Sequence, residues 1–212
     1  MPVPLCGGHV HGRLASPSHY NKAMSDASPI DLSNQFLIAM PGMVDPNFAG
    51  AVIYVCEHNA DGALGLVINR PTDLSMATLF ERIDMSLESS PIKDSPVYFG
   101  GPVHTDRGFV LHAPIGTYGS SLAVGSGLAL TTSRDVLQAV AKGEGPAQIL
   151  VTLGYSGWEA GQLESEIAQN AWLSVLADPS VIFDVPASDR FTAALRLLGI
   201  DPIMLAGEAG HA

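Results

Sequence analysis

The chain has 212 residues, of which 47% are hydrophobic and 15% are charged, and it carries a formal net charge of −11 at pH 7. This composition is typical of a globular protein with a buried core and excludes a chain that is disordered throughout. Phosphate backbones are repelled by an acidic surface, and the sequence has no basic helix or stripe to offset it, so we expect no direct nucleic-acid binding.

The sequence contains no apolar run near the roughly 20 residues that a membrane-spanning helix needs. The first residues also lack the basic and apolar blocks of a secretory signal. We therefore expect a cytoplasmic protein without a membrane partner. Its two cysteines, Cys6 and Cys56, lie far apart and predict no structural disulfide.

The first 31 residues show no hydrophobic periodicity and are rich in Pro, Ser, Gly and His, which predicts a disordered N-terminal extension over residues 1–31. His9 and His11 lie in this extension, and two ligands without further Cys or acidic partners make a poor metal site. We expect a single domain over residues 32–212. Met24, shortly before it, offers an alternative translation start.

The first part of this domain has the patterns of strands. Gln35–Met40 is a short apolar strand, and Val52–Val55 and Leu64–Ile68 predict a β-hairpin about the turn Asn59–Gly62. A short helix, Met76–Arg82, follows. Its predicted N-cap is Ser75 or Asp73. Further strands are predicted at Val97–Phe99, at Gly108–His112 and twice within Ser120–Leu130.

From Thr132 the hydrophobic period changes from 2 to 3.6, which favours a helix that ends at Gly143. Two later helices are predicted at Trp158–Gln169 and Ala187–Leu198, and strands at Gln148–Leu153 and Trp172–Leu176. Because strands come in runs and helices come mostly late, the order indicates an α+β fold with antiparallel hairpins.

Cys56, Glu57 and His58 end the first strand of the hairpin. In a regular strand, Cys56 and His58 point to one face and Glu57 to the other. An imidazole beside a thiol can lower the pKa of the thiol or take its proton, which suggests a nucleophile. Residues two apart on a strand stand about 6–7 Å apart, too far for a direct hydrogen bond. The alternative is a buried Cys56 and a strand-end His58 that is bonded to the backbone.

Asn69 and Arg70 end the second strand, at the opposite end of the hairpin. The planar fork of Arg70 suits a carboxylate or a phosphate. The alternative is an ion pair within this acidic protein, with Glu57, Asp73 or Glu164 as the partner.

Two glycine-containing segments are further candidates. Gly100 and Gly101 follow a strand and let the backbone approach a ligand or another segment closely, although the P-loop residues are missing. The segment Gly154–Trp158 has the pattern of a loop between a strand and a helix, where backbone N–H groups can face an anion. It is not a serine-hydrolase elbow, because Trp158 stands where the motif needs Gly. The structural alternatives are a tight bend and a core anchor at Trp158.

His104 and His112, with Asp106 between them, have strand-like spacing. Solvated loop histidines are a better interpretation here than metal ligands. The sequence has no HExxH or CxxC motif, so we expect neither a metal nor a cofactor.

Four blocks resemble, in order and spacing, those of the bacterial AlgH/YqgE family, and the similarity covers roughly Leu32–Leu198. The resemblance implies a mixed, mostly antiparallel, bifurcated sheet flanked by about four helices. It also implies a proposed role in regulating transcription, but no catalytic residue. The blocks are FLIAMPGMVDPNF (Phe36–Phe48), VCEHNADGALGLVINRP (Val55–Pro71), VYFGGPV (Val97–Val103) and GYSGWEAGQLESEI (Gly154–Ile167).

We therefore expect a non-enzymatic regulatory or binding protein that influences transcription indirectly, through an unknown protein or small-molecule partner. The alternative is a thiol-based enzyme or redox sensor that uses Cys56 with His58. The expected binding residues lie at both hairpin ends, in the glycine pair and in the segment before the predicted helix: Glu57, His58, Asn69, Arg70, Gly100, Gly101, Tyr155, Gly157 and Trp158.

Overall fold

The structure is a computed structural model that describes residues 31–87 and 90–201. These residues belong to one unit, which begins at Asp31. Apart from Asp31, the predicted extension over residues 1–31 lies outside the described residues, and so do His9, His11 and Met24. The predictions made for them stay predictions.

The described residues form ten strands, five α-helices and one 3₁₀ turn. The strands are β1 (Gln35–Ala39), β2 (Val52–Asn59), β3 (Gly62–Val67), β4 (Pro71–Ser75), β5 (Pro96–Phe99), β6 (Val103–Ala113), β7 (Ser121–Ala123), β8 (Ala129–Thr131), β9 (Gln148–Glu159) and β10 (Trp172–Leu176). The helices are α1 (Met76–Arg82), α2 (Arg134–Ala141), α3 (Gln162–Ala168), α4 (Pro179–Phe183) and α5 (Arg190–Leu197), and the 3₁₀ turn Ala187–Asp189 precedes α5.

The strands join in one sheet that branches at β9. Its main path runs β10-β1-β2-β3-β9-β6-β8-β7, and β4 and β5 form a side branch. The first half of β9 pairs in parallel with β5, whereas its second half pairs antiparallel with β3. Every other strand pair is antiparallel. The predicted α+β fold with a mixed, mostly antiparallel, bifurcated sheet is therefore confirmed.

The central strand β2 is buried on both faces, because its alternate residues point into two hydrophobic clusters. Val52 and Tyr54 belong to the first cluster, which α4 and α5 cover. Ile53 and Val55 belong to the second cluster, which α3 covers. Burial on both faces explains why this segment is continuously apolar instead of alternating with polar residues.

A third cluster packs α1 and α2 against the β5, β6 and β9 part of the sheet. The N-cap of α1 is Ser75, whose Oγ accepts a hydrogen bond of 3.2 Å from the backbone N–H of Thr78. In α2, Asp135 lies in the first turn, and Val136 and Val140 are buried. The hairpin and both of these helices are confirmed.

The structure differs from the sequence prediction at the second half of β9. The strand continues to Glu159, and α3 begins only at Gln162. The predicted helix start at Trp158 was therefore wrong, and Gly154–Trp158 is a strand, not a loop before a helix. The strand continues because β3 supplies a partner for it, with Gly65 opposite Ser156.

No helix within residues 31–87 and 90–201 has the length and apolar character needed to cross a membrane.

Candidate functional site

The register of β2 with β3 shifts by one residue at Cys56, which makes a β-bulge. Cys56 points into the first hydrophobic cluster. His58 pairs with Ala63, which packs on the second cluster. The bulge thus places Cys56 and His58 on opposite faces of the sheet, and the prediction that they share a face was wrong.

The Cys56 side chain is sealed in the core. The residue is 3% exposed, and the polar contact of its Sγ is with the carbonyl oxygen of Tyr54, at 3.8 Å. Burial raises the pKa of the Cys56 thiol far above its usual range, and the negative charge of Glu57 raises it further. An apolar site that keeps the thiol neutral gives no support to a nucleophile or a redox sensor.

His58 bonds Leu32 and Ser33 to the end of β2. Its Nδ1 accepts a hydrogen bond of 3.1 Å from the N–H of Leu32, and its own N–H donates to the Oγ of Ser33 at 2.9 Å. The Nε2 lies 3.2 Å from Oε1 of Glu164, at an angle that makes no hydrogen bond. The interpretation of His58 as a strand-end residue bonded to the backbone is confirmed.

At the other end of the hairpin, Asn69 completes the strand pairing with its side chain. Its Oδ1 accepts from the N–H of Val52, and its Nδ2 donates to the carbonyl of Gly50, both at 2.9 Å. The amide thereby bonds the backbone on both sides of the point where β2 begins.

Arg70 makes its hydrogen bonds to backbone carbonyls. Its Nη1 donates to Pro46 at 2.9 Å, and its Nη2 donates to Ala49 at 2.6 Å. Within the described residues Arg70 forms no ion pair. The predicted pair with Glu57, Asp73 or Glu164 was therefore wrong, and the guanidinium fork fixes the loop before β2.

Gly100 and Gly101 cross the backbone of β9 at close range. A Cβ at Gly100 would lie 2.2 Å from the carbonyl oxygen of Gly154, and one at Gly101 would lie 2.2 Å from the carbonyl carbon of Tyr155. Gly101 and Gly154 also have φ of +151° and +73°. Only glycine fits this crossing, which joins the two branches of the sheet. The close approach is to another part of the chain, and both residues of the pair are buried.

Trp158 is a buried anchor of the core, which confirms the structural alternative predicted for it from the sequence. Its ring lies edge-on to Trp172, with centroids 6.2 Å apart, and stacks on Phe48 at 6.4 Å. Both indole N–H groups donate to the same oxygen of Glu166, at 2.9 and 2.8 Å. The carboxylate therefore satisfies two buried donors at once.

Four of the predicted binding residues meet in one place, and this is the candidate site. A groove of about 450 Å³ lies beside the hairpin turn and is lined by Glu57, Tyr155, Gly157 and Trp158. We call it the hairpin groove. Residues 59 and 61–64 of the turn region form one side of it, and Val103 and Glu159 complete the lining. The second half of β9 lines the hairpin groove because this segment is a strand that pairs with β3.

The lining of the hairpin groove combines acidic and apolar side chains. Glu57, Asp61 and Glu159 are all exposed, and no Lys or Arg lines the groove. In the described part of the chain, none of the three forms an ion pair. Leu64 and Val103 contribute aliphatic surface to the same lining. The arrangement suits a ligand that carries positive charge and apolar surface together.

Comparison with known proteins places the chain in a family. The AlgH-like family model matches residues 36–203. The chain belongs to the AlgH-like family. A UPF0301 protein of Bordetella petrii is 72% identical over 188 residues, which cover 89% of this chain and 93% of that protein. The solution structure of the AlgH protein from Pseudomonas aeruginosa is 51% identical, with a TM-score of 0.71, and covers 89% of this chain and 100% of that one.

A more distant structure, protein DIP2367 from Corynebacterium diphtheriae, is 21% identical with a TM-score of 0.63, and it covers 82% of this chain and 89% of that one. At this identity the likeness shows the fold alone. The AlgH/YqgE resemblance read from the four sequence blocks is confirmed. The AlgH-like region contains every residue that lines the hairpin groove.

His104 and His112 lie near opposite ends of β6 in this AlgH-like domain. His112 is fully buried, with Nε2 2.8 Å from Oγ1 of Thr131 and Nδ1 3.1 Å from the carbonyl of Pro114. Burial lowers the pKa of His112. The prediction of a solvated His112 was therefore wrong. Among the residues that the structure describes, no group of three or more His, Cys, Asp or Glu is arranged to hold a metal.

Sequence reasoning missed two of the three groove carboxylates. Asp61 was assigned only to the turn, and Glu159 was assigned to the first turn of a helix. Both positions follow from the pairing of Gly62 with Glu159 across β3 and β9, which is a long-range contact. No local pattern in the sequence signals that pairing.

Proposed function

We propose that this AlgH-like protein is a non-enzymatic, cytoplasmic binding protein whose hairpin groove takes a basic segment of a protein partner. The observation that carries the proposal is the set of three exposed carboxylates that line the groove with apolar residues and form no ion pair within residues 31–87 and 90–201. Any influence on transcription would then be indirect, through that partner. Cell fractionation tests the location, and recovery of the protein with the membrane or the periplasm would contradict it.

Charge complementarity selects the occupant. Lys and Arg have long aliphatic stems that pack on apolar surface while their charged ends stay near the solvent. In the hairpin groove the stems would lie on Leu64 and Val103, and the charged ends would reach Glu57, Asp61 or Glu159. The volume of about 450 Å³ matches a short stretch of peptide side chains, since ligand sites commonly measure roughly 300–1,000 Å³.

The non-enzymatic part of the proposal is supported by what lines the hairpin groove. Its described lining contains no Cys, Ser or His that would act as a nucleophile or a base. Cys56 is directed away from it, into the first cluster. The three carboxylates stay exposed, whereas acid–base carboxylates in enzymes are usually tuned by burial.

A short synthetic peptide of alternating Lys and Leu, labelled with a fluorophore, is a suitable probe. We expect it to bind the wild-type protein, and the same peptide with Glu in place of Lys not to bind. The variant Glu57→Gln/Asp61→Asn/Glu159→Gln should weaken binding at least about tenfold, because it removes the charges that the peptide meets. Fluorescence anisotropy at physiological ionic strength measures the affinity.

The matched control removes the same charge elsewhere. Glu81, Asp94 and Glu144 are exposed and lie outside the hairpin groove, so Glu81→Gln/Asp94→Asn/Glu144→Gln should change the affinity less than about threefold. An equal loss in both variants would show attraction to any acidic surface and overturn the assignment to the groove. Failure of the wild-type protein to bind the Lys–Leu peptide would overturn the proposal itself.

A further inference from the structure

A second cavity lies on the other branch of the sheet, between β5, β9, α4 and the start of α5. Its volume is about 160 Å³. Most of its lining residues are apolar, among them Ile149 and Ile182. The polar side chains are Ser95, Tyr98 and Arg190. We call it the Arg190 cavity.

Arg190 is 5% exposed, which is unusual for an arginine. Its Nε donates to the carbonyl of Val185 at 2.9 Å, and its Nη1 donates to the carbonyl of Ile68. The Nη2 has no carbonyl or carboxylate acceptor among the described residues. Nη2 is also not one of the fully buried polar atoms that lack a hydrogen-bond partner. Since it has no such acceptor, it is not fully buried. We infer that Nη2 keeps access to the cavity that Arg190 lines.

The charge of this guanidinium has no counter-ion in the described structure. No Asp or Glu lines the Arg190 cavity, and Arg190 takes part in no ion pair of the described residues. A buried charge is costly unless an opposite charge or a full set of hydrogen bonds compensates it. The two carbonyl bonds compensate part of the cost and leave one nitrogen available for an anion.

Tyr98 is placed to take part in binding an anion. The Cζ of Arg190 lies 5.0 Å from the centroid of the Tyr98 ring, and both residues line the cavity. A phenol can accept a hydrogen bond from arginine and still donate its own proton. The cavity therefore offers an N–H and an O–H donor beside apolar walls.

We propose that the Arg190 cavity binds a small carboxylate. Nη2 of Arg190 and the hydroxyl of Tyr98 donate to the carboxylate oxygens, and the hydrocarbon part of the ligand packs on the apolar walls. At about 160 Å³ the cavity has room for about five water molecules of roughly 30 Å³ each. This volume suits a short aliphatic acid. One nitrogen and one hydroxyl supply the two donors that the two oxygens of a carboxylate can accept, whereas a phosphate has further oxygens to satisfy.

Butyrate is a suitable probe, and butyramide is its neutral counterpart of the same shape. Both are titrated into the ¹⁵N-labelled full chain, with the Nε–H signal of Arg190 and the backbone signals of Tyr98 and Ile182 as readouts. We expect butyrate to shift these signals saturably in the millimolar range. Butyramide should bind at least about tenfold more weakly, because it lacks the charge that Arg190 compensates.

Two variants test the assignment. Tyr98→Phe removes only the hydroxyl, keeps the ring under Arg190, and should weaken butyrate binding about threefold to tenfold. The control Arg196→Gln removes one positive charge from the same helix at an exposed position outside the cavity, and should leave binding unchanged.

Each contrary outcome is decisive. Equal binding of butyrate and butyramide would show only an apolar cavity and overturn the proposal. Shifts confined to exposed Lys and Arg residues, or none at all, would overturn it too. The wild-type comparison of the two probes needs no variant, so it decides the question even if Tyr98→Phe fails to fold. Inorganic phosphate, titrated in parallel, should shift the Arg190 signals less than butyrate does. The result is independent of the hairpin groove, which lies at the other end of β9.

Discussion

The two ends of the β2–β3 hairpin use similar polar residues in opposite ways. At the end before β4, the side chains of Asn69 and Arg70 bond to four backbone groups of the same domain. At the turn, Glu57 and Asp61 stay in solvent beside the hairpin groove and pair with no cation of the described residues.

The difference shows that the type of a side chain does not decide its role. Arg70 has the fork expected of an anion site, yet its two terminal nitrogens are occupied by carbonyls. Arg190 is hidden in the core, yet one of its nitrogens keeps access to a cavity. Binding capacity therefore follows from the hydrogen bonds that the fold leaves unmade.

The largest expected effect is on the labelling rate of Cys56. A reactive thiol at the turn end would mean that this end performs chemistry, and not only binding through exposed carboxylates. In native protein we expect Cys56 to react with iodoacetamide at least about a thousandfold more slowly than in urea-unfolded protein. The reason is that a sealed thiol reacts only through opening, and open states are rare in stable domains.

Mass spectrometry of the peptide that contains Cys56 measures this rate without interference from Cys6. A Cys6→Ser variant, which leaves one cysteine, is the control for thiol exchange. Native labelling within about tenfold of the unfolded rate would restore the thiol hypothesis for the turn end.

A pair of asparagine variants tests the comparison in terms of stability. Asn69→Ala leaves the N–H of the buried Val52 without its partner, whereas the exposed carbonyl of Gly50 can bond to water. The unpaired N–H should lower the free energy of unfolding by about 2 kcal/mol. Asn59→Ala removes only exposed bonds to Glu57 and Asp61, and should cost less than about 0.5 kcal/mol. Urea denaturation followed by circular dichroism measures both. Equal losses of unfolding free energy in the two variants would show that neither end of the hairpin is fixed more firmly than the other.

The smallest expected effect is a pH dependence of the protein's stability. It arises at His112, away from both hairpin ends, so it should affect the two ends equally. Burial lowers the pKa of His112 in the folded state. The unfolded protein therefore binds this proton more readily, and stability falls as the pH drops below the ordinary His value of about 6.5. His112 lies on β6, which pairs with neither hairpin strand.

Urea unfolding midpoints measured between pH 7.5 and pH 5 give the slope of stability against pH. The variant His112→Asn should reduce this slope. The difference between Asn69→Ala and Asn59→Ala should stay the same across this range, since distant sites add independently. A difference that changes with pH would mean that His112 and the hairpin are coupled.

Much of the fold could be predicted from the sequence, because its signals are local. The turn Asn59–Gly62, the Ser75 cap of α1 and the change of period at Thr132 each depend on neighbouring residues. The continuation of β9 past Gly154 could not be predicted, because glycine there resembles a turn. In the structure this glycine makes room for Gly101, which lies far away in the sequence.

The candidate site was predicted only in part, for the same physical reason. Glu57, Tyr155, Gly157 and Trp158 were all singled out, but their meeting in one groove depends on the β3–β9 pairing. The bulge at Cys56 likewise comes from the register with β3, since a single strand shows only alternation.

The indole pair has a practical consequence. Trp158 and Trp172 are the two tryptophans of the chain, and they lie edge-on at 6.2 Å. At this distance their excited states couple, so the pair should contribute a couplet of opposite signs to the circular dichroism in the far ultraviolet, where the indole transition is strongest. Trp158 also lines the hairpin groove. The molecule thus carries its own optical reporter, and an occupant that tilts one indole would change the sign or amplitude of that couplet without any added label.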